Sequence, residues 1–134
     1  AWIHAASVGE SLAVLPLAEA LLAREPALHL LLTTGTLTSA TLLPQRLPAI
    51  AEGRASHRFV PLDVPAWVGR FLEGWRPDLA VFVDSEIWPN TLSALGALGV
   101  PAALVNGRIS PRSCARWRRW APGVMRGLLG RYAL

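Results

Sequence analysis

Lysine is missing from this chain: all thirteen of its basic residues are arginine. A phosphate-cradling P-loop needs a lysine to reach the nucleotide's terminal phosphates, so that class is excluded. A flavodoxin-like receiver domain, which would carry a lysine after its fifth strand, is disfavoured for the same reason. Cysteine is almost as scarce. With Cys114 alone, neither an internal disulfide nor a cysteine-rich metal site can form, and packing on a helix is its expected role. The histidines, His4, His29 and His57, share no ligand spacing. His29 and His57 read as strand-flanking residues, and His4 as a satisfied core or near-site residue; no metal and no cofactor is expected. The longest nearly apolar run, Leu12 to Ala23, is broken by Pro16 and Glu19 and falls short of the ~20 residues of a membrane span. A dinucleotide fold would show G-x-G-x-x-G after strand one and an acid after strand two. Here the first loop has one glycine and the second strand ends in threonines. No G-x-S-x-G elbow of a serine hydrolase appears.

What remains is a chain of 134 residues, 52% hydrophobic, which suits one folded domain rather than a disordered segment. No signal peptide opens it. Ala1 stands at the start of an apparent strand and Tyr132-Ala133-Leu134 reads as the beginning of another, so a piece of a longer protein is expected. Charge is unevenly placed. Residues 1–86 hold six arginines and all nine acids, whereas residues 87–134 hold seven arginines and no acid. Such asymmetry points to an anionic partner: phosphates, a membrane surface or nucleic acid. The tryptophans among the late arginines look amphipathic rather than spaced for base stacking, so nucleic acid is not the expected partner.

Strand and helix signals alternate. Strands are predicted at Trp2–Ser7, Leu28–Thr33, Arg58–Pro61, Leu79–Val83 and Pro101–Val105. Helices are predicted at Glu10–Arg24, from a cap at Thr38 or Ser39 through Leu43 with a proline-punctuated continuation to Ala51, at Pro65–Trp75, and at Pro89–Leu98. The third is expected to place Trp67, Val68, Phe71 and Leu72 on one face. Ser110 caps a further helix with Pro111 at its first position, and Pro122-Gly123 interrupts it before a last helix to about Tyr132. Five strands alternating with helices imply an α/β domain, a Rossmann-like, doubly wound parallel sheet.

Function in such a sheet collects in the loops after the strands. The run Asp84-Ser85-Glu86-Ile87-Trp88-Pro89-Asn90 ends the fourth strand in carboxylates, and Ser7-Val8-Gly9-Glu10 ends the first. Glu10 opens a helix, where a carboxylate either stabilises the dipole or serves as a general base; the sequence leaves both readings open. Glu86 is similar, with Asp84 as a like-charged neighbour. Trp88 reads as a packing residue rather than a sugar platform. Small and hydroxyl residues, Ser7, Gly9, Thr34, Gly35 and Thr36, suit a polyhydroxyl ligand, as do Asn106, Arg108 and Ser110 after the fifth strand. Arg112, on the following helix, joins these candidate substrate-binding residues. Arg112, Arg116 and Arg119 share a helical face, and with Trp117 and Trp120 they suit an anionic lipid surface.

Five blocks carry a resemblance along nearly the whole chain: WIHAASVGE at 2–10, TTGTLTS at 33–39, FVPLDVP at 59–65, WRPDLAVFVDSEIWPN at 75–90 and LVNGRISPRS at 104–113. The chain resembles the 3-deoxy-D-manno-octulosonic acid (Kdo) transferases. The resemblance implies an inverting glycosyltransferase of GT-B architecture that moves Kdo from CMP-Kdo to the lipid A precursor (lipid IVA) at the cytoplasmic face of the bacterial inner membrane, in lipopolysaccharide biosynthesis. Residues 1–134 would be its N-terminal, acceptor-side domain. The CMP-Kdo-binding domain and a membrane anchor would lie outside this chain, so the domain alone would be inactive. Glu10 matches the glutamate of the family's S-V-G-E motif, implied as general base. Glu86 matches the second glutamate of E-S-E-x-W-P-N, implied in activity. Asp84 stands where many members have glutamate, Ser39 where glycine is common, and Gly107 where N-A-R has alanine. The contrasting reading is a non-catalytic, anion-binding Rossmann-like module, which would tolerate loss of Glu10.

Overall fold

Five short segments, four of them largely apolar, make strands: β1 (Trp2–His4), β2 (Leu30–Thr34), β3 (Ala55–Phe59), β4 (Ala80–Val83) and β5 (Ala102–Val105). The computed structural model describes residues 1–84 and 87–133. All four pairings are parallel, in the order β3-β2-β1-β4-β5. The central strands are wholly buried, as continuous apolar runs in a doubly covered sheet should be.

The helices follow in the expected alternation: α1 (Val8–Arg24), α2 (Leu37–Arg46), α3 (Pro65–Trp75), α4 (Pro89–Ala97), α5 (Pro111–Trp120) and α6 (Pro122–Leu129), with a 3-10 turn at Pro48–Ile50. Four of them begin with proline, whose missing N–H costs nothing in a first turn. Side chains divide between the two faces of the sheet. Val14, Leu15, Ala18 and Leu22 of α1 and Leu43 of α2 pack on Ile3, Leu30, Leu32 and Val81. On the other face Val68 and Leu72 of α3 and Leu92 and Leu95 of α4 pack on Trp2, Leu31 and Phe82. Trp67, expected on the buried side of α3, is 47% exposed.

Two elements are displaced from their predicted places. β3 begins at Ala55 instead of Arg58, because it is an edge strand with one partner and accepts Ser56, His57 and Arg58 without a continuous apolar run. The second helix is capped by Thr36, whose hydroxyl accepts from Ser39 N at 3.2 Å, and it runs through Pro44 to Arg46. At the far edge Tyr132 forms a parallel bridge to Ala102, and Ala133 N donates to Ala102 O at 2.7 Å. This is the start of strand pairing outside β5. Among the described residues, no helix is long and apolar enough to cross a membrane.

Candidate functional site

Strand order reverses between β1 and β4. From β1 the chain winds outward through β2 to β3, then returns to place β4 on the other side of β1. In open α/β sheets the crevice at such a switch point, beyond the carboxyl ends of the strands, is where ligands bind. The loops after β1 and β4 flank it here, and they are the two strand ends that the sequence marks with a glutamate each. His4 pairs with Phe82 in the register below.

Glu10 is half-buried in the first turn of α1. Its Oε2 accepts from Ala6 N at 2.8 Å and its Oε1 from Ser7 Oγ at 2.9 Å, while Ser7 Oγ accepts from Glu10 N at 3.3 Å. This resembles a capping box, reciprocal bonding across the helix start, except that the carboxylate reaches the N–H one residue before the cap. Ser11 Oγ donates to Ser7 O at 2.7 Å, closing the turn. The arrangement fixes the carboxylate at the crevice rim. A carboxylate has about four lone-pair sites, so two accepted bonds leave capacity for a ligand hydroxyl. Gly9 is exposed beside it.

The second loop supports the first. Gly35 N donates to Ala6 O at 3.2 Å, and a Cβ on Gly35 would lie 3.3 Å from that oxygen, so the close approach favours glycine. Thr34 is fully buried, its hydroxyl 2.9 Å from His57 Nε2, and it shapes the loop from below. Thr36 is exposed, and its hydroxyl lies 2.7 Å from that of buried Ser39, the residue found where the resemblance has glycine. Burial, and secondarily Arg58, holds His57 below its ordinary value. Under the crevice, His4 is fully buried, with Nδ1 3.0 Å from Thr33 Oγ1, and its ring meets Trp88 edge-on at 5.6 Å. Trp88 is thus a packing residue in this structure.

Beyond β4 and β5, Asp84 and Asn106 both adopt left-handed backbone, at φ 61° and 54°. Asp84 N donates to Val105 O at 3.0 Å, and Asn106 Nδ2 donates to Asp84 Oδ1. Arg108 brings Nε within 3.9 Å of the same oxygen and Nη2 within 3.4 Å of Asn106 Oδ1. A left-handed non-glycine residue costs on the order of 1 kcal/mol or more, even though Asp and Asn tolerate it best. An exposed ion pair by itself returns about 0–1 kcal/mol. At Gly107 an added Cβ would come 2.9 Å from Leu104 Cδ2, a clash that rotation of the leucine relieves. Glu86 and Ser85 lie outside the described residues.

Asp63, in the loop before α3, has a role the sequence did not reveal. Its carboxylate accepts from Asn90 N at 3.0 Å, from Thr91 N at 2.8 Å and from Thr91 Oγ1 at 2.8 Å. It therefore caps α4 from another loop. The hint in the sequence is an acid with no helix of its own to cap.

Ser110 caps α5, accepting from Ser113 N at 3.1 Å. No residue of α5 is fully buried. Arg112, Arg116 and Arg119 are exposed together with Trp120, and the Arg119 guanidinium lies 5.5 Å from the Trp120 ring centre. Trp117 departs from this face. It lines a groove of about 680 Å³ between α5 and α6 with Ile109, Cys114, Pro122, Met125 and Leu129, beside Arg118 and Arg126. A smaller cavity of about 170 Å³ shares Ile109, Met125 and Leu129 with that groove and reaches Asp84 and Arg108. Among the described residues, no group of three or more His, Cys, Asp or Glu side chains is placed to hold a metal ion.

Comparison with known proteins agrees with this geometry. The match to the 3-deoxy-D-manno-octulosonic-acid transferase (kdotransferase) family spans residues 1–134. A 3-deoxy-D-manno-octulosonic acid transferase of Rickettsia felis is 43% identical over 116 residues, covering 87% of this chain and 24% of the relative. One from Bordetella pertussis is 39% identical over 130 residues, 96% of this chain and 29% of the relative. A probable mitochondrial one from Arabidopsis thaliana is 34% identical over 116 residues, 87% of this chain and 25% of the relative. The chain thus spans about a quarter of the length of these relatives. With a parallel α/β sheet, a glutamate fixed at its switch point and a family match from end to end, the chain belongs to the Kdo transferase family as its N-terminal domain.

Proposed function

We propose that this domain is the acceptor-side half of an inverting GT-B glycosyltransferase that transfers Kdo from CMP-Kdo to a lipid A precursor, lipid IVA. The observation that carries the reading is the placement of Glu10, a half-buried carboxylate held at the switch-point crevice by Ala6 N and Ser7 Oγ. Glu10 takes the proton of an acceptor hydroxyl as that oxygen attacks the anomeric carbon of Kdo. The bond to CMP breaks on the opposite side, and in-line displacement inverts the centre. The nucleotide is held mainly by a second Rossmann-like domain outside this chain, so this domain alone is inactive. Glu86 assists from the loop after β4. No cofactor takes part.

Several features support a lipid acceptor. The apolar groove between α5 and α6 has arginines beside it, a combination suited to acyl chains and phosphates. Arg112, Arg116, Arg119 and Trp120 offer cations and a ring to an anionic bilayer at the cytoplasmic face of the inner membrane. Leu37, Phe59, Leu62 and Val64 are exposed in and beside the second and third loops.

One observation favours the contrasting reading, an anion-binding module without catalysis: both Glu10 oxygens already serve the helix cap. Assaying the full-length protein with CMP-Kdo and lipid IVA separates the two. The catalytic reading expects a Kdo-bearing lipid product, and a folded full-length protein that forms none would refute it.

A further inference from the structure

We infer that Asp84 is a positioning residue: its carboxylate, presented from left-handed backbone at the end of β4, aims Arg108 at an anionic group of a substrate in the crevice. The inference rests on the transferase reading above and assigns a task to a residue that departs from the usual glutamate. Asn106 Nδ2 and Arg108 Nε converge on one oxygen, Asp84 Oδ1, and Arg108 Nη2 also approaches Asn106 Oδ1. Three side chains from two adjacent strand ends thus form one unit. Arg108 remains 74% exposed, on the crevice side of the sheet.

Backbone conformation is the independent observation. Asp84 and Asn106 are two of three non-glycine residues with positive φ among those described. Strain of this kind gathers at ligand sites, and here it falls on two adjacent strand ends. Left-handed backbone also explains the residue type. Asp is among the few side chains that adopt it readily, whereas glutamate is not. Its shorter side chain keeps the carboxylate near Asn106. The guanidinium fork has five donors, so it can bond to neighbours in this chain and to a ligand together. That ligand is a phosphate or carboxylate, the groups a planar fork recognises best.

The test uses the full-length enzyme. Asp84→Gly deletes the carboxylate yet eases the left-handed backbone, so it separates positioning from folding. We expect an unchanged or higher melting temperature with KM for one anionic substrate raised roughly tenfold, the size of one lost charge-assisted contact. Which KM rises, donor or acceptor, identifies the source of the anion. Asp84→Asn should fall between, keeping the bond to Asn106 without the charge. Arg108→Ala should raise the same KM, and adding Asp84→Gly to it should change nothing further. An unchanged KM for both substrates in Asp84→Gly, or additive effects of the two substitutions, would overturn the inference. The Arg108 Nε–H resonance in arginine-labelled enzyme gives a readout apart from turnover: it should shift and broaden in Asp84→Gly. If the parent transfers no Kdo but this resonance still depends on Asp84, the transferase reading fails and the positioning stands. A resonance indifferent to Asp84 overturns the positioning alone.

Discussion

Replacing Asp63 by alanine should loosen the start of α4. The carboxylate accepts from two backbone N–H groups, of Asn90 and Thr91, and from the Thr91 hydroxyl. Losing an N-cap side chain typically costs about 1 kcal/mol and up to about 2. Thr91 is only 3% exposed, so its hydroxyl would lose its partner in a buried place, at about 1–3 kcal/mol. Allowing for water that reaches the exposed Asn90 N–H, the total is about 2–4 kcal/mol. For a domain of this size that corresponds to a fall in Tm of roughly 6–15 °C. Thermal unfolding followed by circular dichroism measures it directly. Asp63→Asn keeps one acceptor oxygen and should lose less than half as much. If Asp63→Ala melts within about 2 °C of the parent, the carboxylate does not hold α4 and the reasoning fails.

Three further outcomes are expected. The folded state holds His57 below its ordinary value of 6.5, by burial first and by Arg58 second. The unfolded chain therefore binds the proton first as pH falls, so this contribution is complete above about 6.5 and lost below it; His57→Gln should flatten the difference in denaturant midpoint between about pH 7.5 and about pH 5.5. The domain should bind anionic vesicles, lose that binding steeply with salt and ignore neutral vesicles, and Arg112, Arg116 and Arg119 replaced together should remove most of it, at about 1 kcal/mol per arginine. A triple variant that binds as the parent does makes the cluster a solvated face. Calorimetric titration of CMP into the isolated domain should show no appreciable binding, and micromolar affinity would mean that the donor site is misplaced.

The alternation of elements was legible because period and punctuation agree. Pro65, Pro89, Pro111 and Pro122 stand at the first positions of helices, and Ser110 caps as read. β3 was misplaced because an edge strand need not be apolar, so Ala55-Ser56-His57 carries little signal. Thr36 caps α2 two or three residues before the predicted Thr38 or Ser39, since the three are chemically alike and only geometry selects among them. The site was half legible. A carboxylate at a strand end could be found from the run into Gly9-Glu10. That Asp63 caps a helix 27 residues away and that Asp84 meets Asn106 and Arg108 depend on loops meeting across the sheet, whereas the Glu10 contacts to Ala6 and Ser7 are local. Local sequence does not name the partners in such meetings.

The most direct test of the central claim is the turnover of full-length Glu10→Gln with CMP-Kdo and the lipid acceptor. Glutamine keeps one oxygen to accept from Ala6 N and can donate its amide N–H to Ser7 Oγ, so the cap should weaken by about 1 kcal/mol at most and the protein should remain folded. It cannot take a proton, and the account expects turnover to fall at least ~10²-fold with little change in KM. Near-parental turnover by a well-folded Glu10→Gln enzyme would contradict the account and leave Glu10 as a helix cap alone.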